Sequence, residues 1–287
     1  MQLRRLDDYQ SWQISHQGSV ILIDPWLTSE PITGSFSREH TPGFRTVDEV
    51  TATSEVLVAV LLCTSVSDHT RPQSLRALAV TQSTAEVLGP KAAVRIARRS
   101  GLSQGIPVRP GDQRQWRTRE GGWLRVTVTK AGLPLGLIAV GYLVEAFEAP
   151  GLDVERPDRS GPDEVGALRG RVWIEPHQPT ERVAARLAPV DIAILPCESV
   201  TAMVMPVTAG PTATGRAVRA ARARMVVPTA TDPRRDMTTW QRLAYRVAGG
   251  EQDLTTILGA GTIMRSMSAG EVEELGPAGR GSGGGVA

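Results

Sequence analysis

The chain has 287 residues, 41% of them hydrophobic and 22% charged, enough for a substantial buried core. Its 32 Lys and Arg against 30 Asp and Glu leave a net charge of +2, which excludes a charge-driven disordered chain and gives no reason to expect a nucleic-acid partner. No run of ~18 apolar residues exists, and the opening MQLRRLDDYQSWQ lacks the apolar centre of a secretory signal. A soluble cytoplasmic protein with no membrane partner is the expectation.

Three residue types are scarce. Cys63 and Cys197 are the only cysteines, which excludes a disulfide framework and reads first as two buried thiols. Lys91 and Lys130 are the only lysines, a bacterial-type compositional bias from which no chemistry follows. The histidines are four: His16, His40, His69 and His177.

Alternation over Ser11–Ile14, a turn at His16–Gly18 and the run Ser19–Ile23 into Asp24-Pro25-Trp26 predict a strand, a turn and a strand ending at proline. Residues 28–46 read as a long loop rich in Thr, Ser, Pro and Gly, of a length that suggests a pocket cover. The apolar run Glu55–Cys63 predicts a buried strand, followed by the polar loop Thr64–Thr70 and a helix opening near Pro72. A further strand is expected at Leu78–Thr81 and a helix over Ser83–Arg99, with Ser83 and Glu86 as a capping box. Strands are expected at Ile106–Val108, Gln113–Arg117, Trp123–Lys130 and Ala139–Phe147, then a loop over Gly151–Gly166.

In the last part, Arg171–Ile174 reads as a strand ending in Glu175-Pro176-His177. A helix at Glu181–Leu187, a buried strand at Val190–Cys197, a helix from Pro211 through Ala223 and a strand at Arg224–Pro228 come next. A helix near Thr238–Val247, a strand pair within Leu254–Met264 and a Gly-rich tail close the chain. Strand-rich halves with helices outside predict a layered α/β sandwich, with residues 1–275 as one domain and 276–287 as a flexible tail. Gly259-Ala260-Gly261 and Gly281–Gly285 lack the strand-to-helix setting of a phosphate loop.

This order of pieces resembles the metallo-β-lactamase superfamily, in particular its UlaG-like branch. The resemblance runs over roughly residues 10–275 and rests on Val20–Leu27 with its Asp-Pro-Trp turn, the loop Thr64–His69, the strand Val190–Pro196 and the end Met225–Ala230. It implies a four-layer αββα sandwich and a hydrolase-like site at the strand ends. In that family a His-x-His-x-Asp-His loop helps to hold two zinc ions. Here Thr64 and Val66 stand at the first two histidine positions, and Pro228-Thr229-Ala230 lacks the family's late histidine. An alkyl side chain cannot ligate, and a threonine hydroxyl is a poor zinc ligand. The resemblance therefore implies a degenerate metal motif.

Asp68, His69, Glu175 and His177 are the candidate catalytic residues; Asp24, Trp26, Cys63, Thr64, Cys197 and Thr229 are the candidate ligand-pocket residues. The first four would do acid–base work on a small, largely apolar substrate, by hydrolysis, dehydration or cyclisation, with no cofactor. One alternative is a single zinc, iron or manganese ion on Asp68, His69 and His177, making a mononuclear metal-dependent hydrolase. The other is a non-catalytic relic of the hydrolase fold that binds a ligand or acts as a scaffold.

Each candidate also has a plainer reading. Asp68 would cap the helix near Arg71 and His69 and His177 would pack as hydrogen-bonded histidines. Cys63, a conceivable nucleophile with His69 or His177 as base, would be a small hydrophobe. Asp24 would support the loop beneath the site, and His16 and His40 would lie at the surface. Trp12, Trp26, Trp173 and Met203–Met205 would form either an apolar ligand wall or core, and Ala202–Val207 a homo-oligomer face.

Overall fold

Alternate residues of the central strands face two different apolar layers, and this period of two sets the architecture. The computed structural model describes residues 1–29, 49–50, 55–149, 166–229, 239 and 244–276. The first sheet contains β1 (Gln2–Arg5), β2 (Trp12–His16), β3 (Ser19–Ile23), β4 (Val56–Leu61), β5 (Glu86–Gly89) and β6 (Gly105–Pro107). The second contains β7 (Gln113–Arg117), β8 (Trp123–Lys130), β9 (Val140–Phe147), β10 (Leu168–Ile174) and β11 (Ile192–Pro196). A small third sheet is built from β12 (Ser199–Ala202), β13 (Met205–Pro206) and the later strand β15 (Tyr245–Ala248). β14 (Met225–Thr229) and β16 (Ile263–Met264) extend the second sheet, and β17 (Val272–Glu274) closes the first.

The first sheet runs β17-β1-β2-β3-β4-β5-β6, antiparallel up to β3 and parallel from β3 onward. The second runs β16-β14-β11-β10-β9-β8-β7, parallel as far as β10 and antiparallel beyond it. Ile21 and Ile23 of β3 and Ala59 and Leu61 of β4 share one buried cluster with Tyr142 and Val144 of β9 and Ile192 and Ile194 of β11. That cluster is the layer between the two sheets. The intervening residues Val20, Leu22, Val60 and Leu62 face the opposite way, towards helices α1 (Pro72–Thr81) and α2 (Lys91–Arg99). On the second sheet Trp173, Ala193 and Leu195 turn outward to α3 (Glu181–Leu187), α4 (Pro211–Ala221) and α5 (Glu251–Leu258). The layers are thus α, β, β and α, each buried Leu or Ile contributing about 1.5–3 kcal/mol relative to exposure.

Several local expectations change. Leu78–Thr81 is the last turn of α1, because Leu75 and Leu78 form a buried i, i+3 stripe. Glu86 opens β5 instead of completing a capping box, and Pro90 restarts the helix one residue before Lys91. The segment Leu254–Leu258 is helical, with those two leucines buried one turn apart, and Tyr245–Ala248 is a strand paired with β12. The rest of the helix expected at Thr238–Val247 lies mostly outside the described residues, as do most of residues 28–46, all of Gly151–Gly166 but Gly166 itself, the tail beyond Gly276, and His40. His16 is buried and its ring bonds the Phe147 carbonyl at 3.0 Å, which corrects the surface expectation.

Both parallel halves end on the same side of the sandwich. Val140 N–H donates to the Cys63 carbonyl at 2.9 Å, Thr64 bridges to Ala139, and the Tyr142 hydroxyl donates to the Leu62 carbonyl at 2.7 Å. These bonds tie the end of β4 to β9 and bring the loops of the two sheets together.

Candidate active site

Asp24 follows β3 with a φ of 44°, a left-handed conformation that aspartate tolerates better than most side chains. This turn aims its carboxylate at the end of β4. Oδ1 accepts the Cys63 N–H at 2.8 Å, and Oδ2 accepts from His69 Nδ1 at 2.7 Å. That second bond fixes the imidazole's tautomer and leaves Nε2 facing Asp68 Oδ2 at 3.8 Å. Asp68 does not cap α1: the N-cap is Arg71, with no side-chain cap bond. Asp68 instead accepts from the Tyr9 hydroxyl at 3.4 Å, while Gln10 Nε2 donates to its carbonyl at 2.8 Å.

The second sheet supplies the other half. After β10, Glu175 turns back so that Oε1 accepts the N–H groups of His177 and Gln178 at 3.0 and 3.2 Å. This carboxylate-closed turn places the His177 ring 4.6 Å from the His69 ring, centroid to centroid. The His177 carbonyl accepts from Ala209 N–H at 2.7 Å, which anchors the segment after β13 beside it.

Both histidines line a cavity of about 90 Å³, together with Tyr9, Thr64, Asp68 and Val207 among others. Three buried polar atoms of its lining residues, Thr64 Oγ1, Asp68 Oδ1 and His177 Nδ1, have no hydrogen-bond partner among the described residues. Buried polar groups are normally paired, so these three are available to a polar occupant.

The environment drives the two imidazoles apart. Burial opposes charge on His69, but the carboxylates of Asp24 and Asp68 and the bond to Asp24 outweigh it and raise its pKa to about 9. For His177 burial and the neighbouring His69 act together and hold the pKa well below the usual histidine range. Burial lifts Glu175 to about 7 against the pull of its two backbone donors.

The remaining sequence candidates are absent from the wall of this cavity. Asp24 is joined to it through His69. Trp26 is buried under the Arg71 guanidinium, 4.5 Å from the ring centre, and its backbone N–H donates to Ser11 Oγ at 2.9 Å. Cys63 packs in the layer between the sheets; burial, then Asp24, pushes its thiol well above the ordinary range, so it stays protonated. Cys197 faces the helices on the outer side of the second sheet, its pKa pushed up to about 12 by burial and Glu198. Thr229 is buried and donates to the Tyr9 carbonyl at 3.4 Å, supporting a cavity residue. Trp12 and Trp173 are core, one in each layer. Tyr9, Gln10, Leu135, Pro176, Val207 and Thr208 also line the cavity and were not singled out as site residues from sequence. Pro176 lies between two candidates, but the others come from separate loops with no local motif to mark them.

No protein-family model matches the sequence, and no curated protein sequence matches it either. Solved structures do. Igni18, a metallo hydrolase from the archaeon Ignicoccus hospitalis, superposes with a TM-score of 0.59 at 15% identity, over 95% of this chain and 97% of its own. An isothiocyanate hydrolase from Delia radicum gut bacteria gives 0.62 at 13% identity, over 96% and 99%. The metallo-β-lactamase fold protein YhfI of Bacillus subtilis gives 0.58 at 12% identity, over 95% and 99%. The chain has the metallo-β-lactamase fold.

Proposed function

We propose that the protein is a diverged enzyme of the UlaG-like branch that has lost the dinuclear zinc site and acts on a small, largely apolar substrate by acid–base chemistry. The observation that carries this reading is the pair of imidazoles on one cavity wall: His69 clamped by Asp24 at 2.7 Å, and His177 4.6 Å away. Two titratable groups whose surroundings separate them so strongly divide into an acid and a base. His69, held cationic, donates from Nε2; neutral His177 accepts a proton; Asp24 orients His69, and the free oxygens of Thr64 and Asp68 contact the substrate's polar end. A positioned acid and a positioned base each supply about 100- to 10,000-fold in rate, enough for hydrolysis, dehydration or cyclisation of an activated substrate. Residues 1–275 form one domain in this reading, and the protein works in the cytoplasm on a small molecule.

The donor set does not fit a zinc pair. Thr64 and Val66 replace two imidazoles and Thr229 lies near the missing third. Asp24, Cys63 and His69 do bring ligand atoms within 4.8 Å of one another. However, both Asp24 oxygens are already engaged, and neither Asp24 nor Cys63 reaches the cavity. The free atoms Asp68 Oδ1 and His177 Nδ1 favour a second reading, a single ion held by Asp68, His69 and His177.

The test is a turnover screen of small alkyl and aryl esters, lactones, amides and hydroxy acids in excess chelator. Turnover by the wild type, reduced at least about 100-fold in His177→Ala, is the expected result. Turnover unchanged in His177→Ala contradicts the assigned roles. Turnover abolished by chelator and restored by one metal supports the single-ion reading, and no turnover at all supports a binding relic.

A further inference from the structure

A second concave site lies beside the catalytic cavity, and its chemistry is different. It is a groove of about 360 Å³, within the size range of small-ligand pockets, between the start of α2 and the loop that leads into β9. Two cations, Lys91 and Arg109, stand on it, and no Asp or Glu is among its described lining residues. Arg109 is held in its turn by its own N–H, which donates to Asp112 Oδ2 at 2.8 Å. α2 opens at Lys91 with Pro90 as N-cap, no side-chain cap bond and no acidic residue in its first turn, so its amide dipoles add positive potential there. The opposite wall is apolar: Leu137 is 81% and Ile138 50% exposed, and Val108 lies beside them. Large aliphatic side chains held in water next to two lining cations match a ligand that has both an apolar body and a negative end.

We propose that this groove binds a medium-chain alkyl carboxylate, its carboxylate between Lys91 and Arg109 and its chain along Leu137 and Ile138. The wall is shared with the catalytic cavity. Leu135 faces the cavity, Gly136–Val140 line the groove, and Ala139 is bridged to Thr64 at the cavity's edge. An occupant of the groove therefore contacts the same loop that carries Leu135 into the wall of the cavity. The inference rests on the groove alone and is independent of what the two histidines do.

The experiment is a titration of the full-length protein with decanoate, followed by calorimetry and amide NMR shifts, with acetate and decyltrimethylammonium as controls. Two surface double variants accompany it, K91A/R109A and L137S/I138S, each checked for native circular dichroism. Decanoate is expected to bind with amide shifts centred on Lys91, Val108, Arg109, Leu137 and Ile138, at least about tenfold more weakly in either variant, the loss of one charge-assisted contact or its apolar equivalent. Acetate and decyltrimethylammonium are expected not to bind. Equal affinity in K91A/R109A, equal binding of decyltrimethylammonium, shifts centred elsewhere, or no decanoate binding below its micelle concentration would each overturn the proposal.

Discussion

The two sheets contribute unequal halves to the candidate site. The Asp24 clamp on the first sheet is saturated: Asp24 spends both oxygens on Cys63 and His69, and its left-handed backbone is held by its own N–H to the Leu61 carbonyl at 2.9 Å. The second-sheet half is not. Glu175 uses Oε1 for two backbone N–H groups, with His177 Nδ1 3.8 Å from it, while Glu175 Oε2 and His177 Nδ1 have no hydrogen-bond partner among the described residues. A fully bonded buried cluster holds structure, whereas a partly bonded one keeps capacity for something that enters from outside. In the proposed reading this contrast makes Asp24 the frame and leaves His177, with Thr64 and Asp68, to meet a ligand.

That division is broken most directly at Asp24. Asp24→Ala strips the partner from a buried imidazole and should lower unfolding stability by about 3–5 kcal/mol in urea titrations; a change below about 1 kcal/mol would mean that the clamp is incidental. A smaller loss is expected where the second sheet packs closest to Glu175. A Cβ at Gly141 would lie 2.6 Å from the Ile174 carbonyl oxygen and from Thr129 Oγ1, so Gly141→Ala should cost about 1–3 kcal/mol.

The pH dependence separates the two histidines by sign, while Glu175, raised to about 7 by burial, adds to the loss of stability as pH rises. His69, with its pKa raised to about 9, contributes stability that is complete below the ordinary value near 6.5 and lost as pH rises through 9. His177, lowered by burial and by His69, acts in reverse and costs stability as pH falls below that value. In Asp24→Asn the alkaline decline should flatten and the acid one persist, measured by melting temperature from pH 5 to pH 10. The smallest effect is assigned to His177→Gln, which should shift stability by less than about 1 kcal/mol while removing turnover.

Much of the layering was legible in sequence because the strands alternate cleanly. Gln113–Arg117, Trp123–Lys130 and Glu181–Leu187 have in the structure the bounds that pattern alone predicts. β1 was not legible, since its Arg5 is buried through bonds from its guanidinium to the carbonyls of Met267, Asp8 and Tyr9, a tertiary solution that no local pattern announces. The helical end of α1 was misread because Leu78-Ala79-Val80-Thr81 is strand-like in composition, while its burial depends on Leu75 one turn earlier. At the site, Asp68, His69, Glu175 and His177 were visible as polar residues at strand ends. That His69 turns to Asp24 and that Tyr9 and Val207 complete the wall depends on loops far apart in sequence, which meet only when the sheets stack.

The central claim is that this fold presents an acid–base pair without a metal pair. Plasma mass spectrometry on protein purified without chelator or nickel resin, with His69→Ala in parallel, tests it most directly. The account expects no stoichiometric metal in either protein. Stoichiometric zinc, iron or manganese in the wild type, lost in His69→Ala, would contradict it.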